Sequence, residues 1–261
     1  MNSMNLNSKK VIFIIGPTAI GKTKLSIDLA TIFSCEIISC DSRQFYKELK
    51  IGSAAPNQLE LNKVKHHFVH NLSVNKNYNA GQFEYDAIKL IKKIHEKHDL
   101  VIVVGGSGLY IDAICKGFDK IPEISKEVRK KIKTDYKNRG LTWLKEKVKK
   151  IDPEFYFNND PNNPQRLLRR LEVFTQTGKS LSSFQSQKIK KRPFKIVKIG
   201  LNIERKILYN RINKRVDDMM KKGLLEEVKS LINFKHHNAL QTVGYKEIFK
   251  FLNNDYSLNE A

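Results

Sequence analysis

The sequence predicts an α/β fold in which a parallel sheet is flanked by helices and carries an inserted small helical domain. Three observations lead there. β-branched runs end in turns that open helices, two of those turns are rich in glycine, and a long Lys-rich stretch without strand character separates the third run from the fourth. At 261 residues the chain exceeds what one compact core usually needs, which leaves room for the insertion. Hydrophobic residues at 40% and charged residues at 29% exclude a disordered chain and a fibrous repeat.

The first run, Val11-Ile12-Phe13-Ile14-Ile15, reads as a strand buried on both faces. Gly16-Pro17-Thr18-Ala19-Ile20-Gly21-Lys22-Thr23 follows and fits G-x-x-x-x-G-K-[ST], after which Leu25, Leu29 and Ile32 recur at helical spacing. Strand, glycine loop and helix in that order define a phosphate-binding loop, and the fold expected around it is P-loop NTPase-like. Gly16 and Gly21 let backbone N–H groups close around phosphate oxygens at a helix N-terminus, whose dipole favours negative charge. Lys22 adds a point charge, and the Thr23 hydroxyl suits a magnesium ion bridging the same phosphates. The motif specifies phosphate and leaves the phosphate compound open.

The second strand, Glu36-Ile37-Ile38-Ser39, delivers Asp41 and Ser42 to the carboxyl edge of the sheet, where open α/β folds bind ligands. A carboxylate there suits proton abstraction or magnesium binding, and a capping Asp at a strand-to-helix turn is the alternative. His66-His67-Phe68 has no third ligand at metal spacing and reads as core or surface histidines. Phe83, Ala87, Leu90 or Ile91, and Ile94 mark an amphipathic helix covering the sheet. The third strand, Leu100-Val101-Ile102-Val103-Val104, runs into Gly105-Gly106-Ser107-Gly108 and a further helix. Gly105 stands where many nucleotide hydrolases place a magnesium-binding Asp, which weighs against a plain ATPase.

Lys-rich helices punctuated by Pro122 and Pro153 form the expected insertion, and Phe194-Lys195-Ile196-Val197-Lys198-Ile199 returns the chain to the sheet. The expected division is 1–119, 120–193 and 194–261. Asn163 as N-cap, Pro164 in the first turn and Gly178 at the end delimit one helix, with Leu167, Leu171 and Phe174 as its buried stripe. Arg166, Arg169 and Arg170 share another face, spaced to grip a phosphate backbone or simply to stay solvated. Leu208, Ile212, Val216 and Met219 mark a long later helix with Arg211 and Arg215 on a neighbouring face. The net charge of +21 is concentrated, with 13 Lys plus Arg against 5 Asp plus Glu in 116–150 and 11 against 1 in 185–215. Nucleic acid is therefore the leading partner class. Cys35, Cys40 and Cys115 form no C-x-x-C pair and read as reduced thiols. The polar start and the short 11–15 run suit neither a signal segment nor a membrane span, so a cytoplasmic location is expected.

Together these motifs resemble the tRNA dimethylallyltransferase family, also called tRNA isopentenyltransferases. The resemblance begins at the phosphate loop and continues through Asp41-Ser42-Arg43-Gln44-Phe45-Tyr46, Ile51-Gly52-Ser53-Ala54-Ala55-Pro56, His66-His67-Phe68 and Tyr78-Asn79-Ala80-Gly81. Gly105-Gly106-Ser107-Gly108-Leu109-Tyr110, Asp160-Pro161, Pro164-Gln165-Arg166-Leu167-Leu168-Arg169 and Gly244-Tyr245-Lys246-Glu247 complete it. So ordered a series is far more specific than a phosphate loop alone.

The resemblance implies transfer of a dimethylallyl group from its diphosphate to the exocyclic amine of the adenosine immediately 3′ of a tRNA anticodon. The loop residues Gly16 to Thr23 would hold the donor diphosphate, so ATP is not the expected substrate. Asp41 is implied as general base, Lys22 and Thr23 as serving donor and Mg2+, and Arg215 as lying near the diphosphate. Asp41, Ser42, Arg43 and Gln44 correspond to a tRNA-contacting stretch, as do Gln165, Arg166, Leu167, Leu168 and Arg169, with Ser107 and Arg129 as single contacts. The implied partners are the tRNA anticodon stem-loop and dimethylallyl diphosphate, met by a monomer without a membrane.

Ala55 and Ser107 stand where the family commonly has Lys and Thr. Family members usually continue past Gly244-Tyr245-Lys246-Glu247 into a helix with a Thr-Arg-Gln and Lys-Arg-Gln signature, a segment expected to be missing from a chain that stops at Ala261. Two readings compete. A small-molecule P-loop kinase predicts ATP turnover and no need for the basic insertion. A non-catalytic RNA-binding P-loop protein fits the short end but has no use for Asp41 as a base.

Overall fold

The computed structural model describes residues 9–186 and 188–261. In chain order the elements are β1 (Lys10–Ile15), α1 (Lys22–Ile32), β2 (Glu36–Ser39), α2 (Gln58–Lys63), β3 (His66–His67), α3 (Ala80–His95), β4 (Leu100–Gly105) and α4 (Gly108–Cys115). Then come α5 (Lys126–Ile151), α6 (Pro153–Asn158) and α7 (Pro164–Thr177), followed by β5 (Lys195–Gly200), α8 (Arg205–Lys221), α9 (Leu224–Ser230) and α10 (Tyr245–Leu252). The chain divides into two compact units, the residues up to Gly117 with Lys190–Ala261, and Phe118–Ile189. Among the described residues no helix is long and apolar enough to cross a membrane.

In the first unit the five strands form one parallel sheet in the order β3-β2-β4-β1-β5. Its middle strands are continuous apolar runs because both faces are covered, and Val11, Phe13, Ile14, Val101, Ile102 and Val103 are fully buried. Each such side chain stabilises the fold by about 1.5–3 kcal/mol. The register sets Ile15 beside both Gly105 and Gly200, so the carboxyl ends finish level and the glycine turns open on one edge.

α1 packs Ile27 and Ala30 against Ile14, Ile37 and Ile102, with Leu25 and Leu29 partly buried. The expected third member of its stripe, Ile32, is exposed at the last turn instead. α3 buries Phe83, Ala87, Ile91 and Ile94, and its start is fixed by an Asn79 capping box with Gln82. The sheet has one strand more than the sequence suggested. His66 and His67 form β3 beside β2, too short to carry any periodic signal, and His67 Nε2 lies 2.5 Å from Glu36 Oε2.

In the second unit α5 is broken at Gly140, whose φ of 74° interrupts the helical backbone. Asn163 Oδ1 accepts the Arg166 N–H at 3.2 Å, Pro164 occupies the first turn, and Gly178 ends α7 in the left-handed conformation. Ile132, Leu144, Val148, Phe155, Leu167, Leu168 and Leu171 make the core of this unit. Val173, on another side of α7, packs with Ile124 and Leu181.

Candidate active site

The phosphate loop leaves β1 through Gly16 at φ 152° and meets α1 through Gly21 at φ 104°. A Cβ at Gly16 would lie 2.9 Å from the Leu201 carbonyl oxygen, so a side chain there would both strain the backbone and collide. Ala19 also sits at positive φ, a strain of about 1–3 kcal/mol of the kind that site loops retain. Among the described residues no side chain caps α1, so its first amides are available to an anion. Lys22 Nζ donates to the Gly16 and Pro17 carbonyls at 3.0 and 2.7 Å. Burial lowers its pKa from 10.5, Asp41 pulls it back up, and Arg215 lowers it further.

Asp41 leaves β2 into the same space. Its Oδ1 accepts the Arg43 N–H at 2.9 Å, and its own N–H donates to Ser39 Oγ at 3.3 Å, so a short turn fixes the carboxylate. Asp41, Gln44, Lys22, Thr23 and Arg215 line one cleft of about 270 Å³ together with the loop. Arg215 arrives from α8 and donates Nη1 to Thr18 Oγ1 at 3.0 Å. The cleft therefore carries an anion cradle on a common space with the Asp41 carboxylate and the cations Lys22 and Arg215, and Lys24 and Glu60 also line it. Thr23 sits in the first turn of α1, and no cluster of three His, Cys, Asp or Glu suits a metal among the described residues. Such a donor set fits a magnesium ion held mainly by substrate oxygens and water, with one protein hydroxyl.

Gly105 has a steric explanation. A Cβ there would lie 2.6 Å from Cys40 Sγ and 2.7 Å from the Cys40 carbonyl carbon, so the Asp of nucleotide hydrolases has no room. Ser107 Oγ accepts the Ser42 N–H at 3.1 Å and ties the start of α4 to the Asp41 turn. Gln44 spends both ends of its amide inside the unit, accepting from Ser39 Oγ at 2.9 Å and donating to the Ala54 carbonyl at 3.3 Å. Arg43 Nη1 donates to the Asn238 carbonyl at 2.9 Å.

In the second unit Arg129 and Arg169 flank Glu172 at 3.9 and 3.7 Å, while Gln165 and Arg166 are exposed on α7. One expectation is corrected here. Arg170 does not share the open arginine face. It is 7% exposed, pairs with buried Asp152 and lies over the Phe155 ring at 3.3 Å. Leu167, as its place in the buried stripe predicts, and Leu168 pack their side chains into the core of the unit and hold α7 in place.

Sequence reasoning missed two contributors. His66 lines the cleft, with Nδ1 2.8 Å from the Val64 carbonyl and Nε2 without a partner among the described residues. The quoted His-His-Phe motif was the available signal. Glu227 accepts the backbone N–H groups of Lys50, Ile51 and Gly52 at 2.8–3.0 Å, and nothing in its local sequence marks it.

A parallel sheet with a phosphate loop and a carboxylate on one cleft defines a P-loop α/β protein. The IPP transferase family model matches residues 44–261, and the chain belongs to that family. It is 50% identical over 256 residues to the tRNA dimethylallyltransferase of Flavobacterium johnsoniae, spanning 96% of this chain and 83% of that one. The full-length tRNA isopentenylpyrophosphate transferase of Bacillus halodurans superposes with a TM-score of 0.68 at 35% identity, over 97% of this chain and 80% of that one. A eukaryotic dimethylallyltransferase acting on tRNA gives a TM-score of 0.78 at 27% identity, over 95% of this chain and 64% of that one.

Proposed function

We propose that this chain transfers a dimethylallyl group from dimethylallyl diphosphate to the N6 amine of the adenosine 3′ of a tRNA anticodon. The observation that carries the reading is the Asp41 carboxylate sharing one small cleft with the phosphate loop, Lys22 and Arg215. The relatedness to tRNA dimethylallyltransferases supports it. As the allylic C1–O bond breaks, negative charge grows on the departing diphosphate, and loop amides, Lys22 and Arg215 are already aimed at that space. The N6–C1 bond forms, and the amine's proton passes to Asp41, general-base work worth about 10²- to 10⁴-fold. Magnesium, held by Thr23 and the diphosphate oxygens, would supply further charge neutralisation.

The target base must leave its stack to reach so small a cleft. Arg129, Gln165, Arg166 and Arg169 are the candidates for holding the anticodon stem by its phosphates. Ser42, Arg43, Gln44 and Ser107 shape the acceptor side, largely through bonds they make to one another and to neighbouring backbone. The protein would act as a monomer in the cytoplasm, since one chain supplies every group invoked and its three cysteines are free, buried thiols.

Incubation of the purified protein with labelled dimethylallyl diphosphate, magnesium and an adenosine-bearing anticodon stem-loop tests the reading. Label in the RNA is expected. ATP consumption without label points to a small-molecule kinase, and RNA binding without transfer points to a binding protein.

A further inference from the structure

Two of the sequence motifs, Ile51-Gly52-Ser53-Ala54-Ala55-Pro56 and Gly244-Tyr245-Lys246-Glu247, lie almost two hundred residues apart and have no chemical role in the reaction above. The structure brings them together at Glu227. Its Oε2 accepts the N–H groups of Lys50 and Ile51 at 2.9 and 2.8 Å, and its Oε1 accepts the Gly52 N–H at 3.0 Å and the Tyr245 hydroxyl at 2.5 Å. Three consecutive amides thus converge on one internal carboxylate, the arrangement by which backbone nests bind anions. Tyr245 is fully buried, and a Cβ on Gly52 would lie 2.5–2.6 Å from its ring and hydroxyl, so only glycine lets the loop lie flat on the tyrosine. Glu247 closes the first turn of α10 by accepting the Gly244 N–H at 2.7 Å, which fixes the helix that presents Tyr245.

The loop held in this way is a wall of the cleft. Ser53, Ala54 and Pro56 line it, and Ala54 sits at a φ of 48°, a conformation that a non-glycine residue keeps only when its surroundings impose it. The Ala54 carbonyl accepts from Gln44 Nε2, Gln44 Oε1 accepts from Ser39 Oγ, and Ser39 Oγ also accepts the Asp41 N–H. The short backbone segment from Gly52 to Ala54 and these hydrogen bonds therefore link the Glu227 hub to the turn that carries the proposed base.

We infer that Glu227, with Tyr245 stacked on Gly52, is a positioning residue for the prenyl donor: it sets the 50–56 loop that forms one wall of the donor cleft. This rests on the prenyl-transfer reading and specifies which residues behind the cleft lining shape the donor site. Glu227 touches neither substrate in this role. Its effect on catalysis runs through the loop, and RNA binding through the Arg166 face lies outside it.

The test compares Glu227→Gln and Tyr245→Phe with the parent protein. Glutamine keeps one acceptor oxygen and puts an NH2 where two donors already point, so it loses at least one backbone N–H bond, while Tyr245→Phe removes a single hydroxyl and keeps the ring. Hydrogen exchange at the 50–56 amides is expected to accelerate in both variants, more in Glu227→Gln. The KM for dimethylallyl diphosphate is expected to rise about ten- to a hundredfold in Glu227→Gln and less in Tyr245→Phe, with the KM for the RNA stem-loop, felt only through Gln44, moving by less than about threefold. Unchanged exchange at 50–56, or donor and RNA constants moving in parallel, would overturn the inference. Exchange is read without any turnover, so accelerated exchange in a protein that never prenylates RNA would retain the hub and reject the prenyl-transfer reading separately.

Discussion

Replacing Asp41 by Asn isolates the proposed base. The amide has the same shape, and its Oδ1 can still accept the Arg43 N–H that now sits at 2.9 Å, so the turn after β2 should survive. Weakening that charge-assisted bond costs on the order of 1 kcal/mol, too little to unfold the domain. What disappears is the proton acceptor. General-base assistance of about 10²- to 10⁴-fold corresponds to about 2.7–5.4 kcal/mol of barrier, several times the structural cost. The same substitution removes a negative charge that raises the Lys22 pKa, so it leaves the phosphate loop no less attractive to a diphosphate. Single-turnover transfer at saturating donor and stem-loop is therefore expected to fall at least about a hundredfold, while donor and RNA affinities hold. A variant that transfers within about tenfold of the parent under those conditions would refute the assignment of Asp41 as base.

Three further outcomes are expected. Changing Arg166 and Arg169 to Ala should reduce the slope of log affinity for RNA against log salt by about 1.4–1.8, from two lost phosphate contacts, and an unchanged slope would remove these residues from the interface. Asp152→Ala strands the buried Arg170 guanidinium and should destabilise the helical unit by about 3–5 kcal/mol in urea unfolding, with Asp152→Ala/Arg170→Met recovering much of it. Diphosphate binding favours charged Lys22, whose pKa in the free protein lies below 10.5. Donor affinity should therefore be full at neutral pH and fall as pH rises through that lowered value, and the fall should vanish in Lys22→Met.

The phosphate site was legible in the sequence because its chemistry is local. Gly16, Gly21, Lys22 and Thr23 are adjacent in the chain, and backbone conformation with helix start suffices to place them. The Asp41 turn was legible for a related reason, since a strand in a parallel sheet delivers whatever follows it to one edge. Arginine spacing on α7 was a weaker guide. Periodicity separates faces but does not say which are covered, and Arg170 turned out to be the partner of Asp152, eighteen residues earlier. β3 was invisible because two residues have no period.

Sequence alone thus determined the α/β class, the phosphate loop, the strand ends and the caps of α7, all set by contacts within a few residues. Tertiary structure alone decided that Arg215 reaches Thr18, that Glu227 gathers the 50–52 amides under Tyr245, and that Gly105 is glycine because Cys40 fills the space beside it. Apart from Glu227 and Tyr245, these pairings join residues 65 to almost 200 positions apart, and only the packing of one chain against itself specifies which distant groups meet.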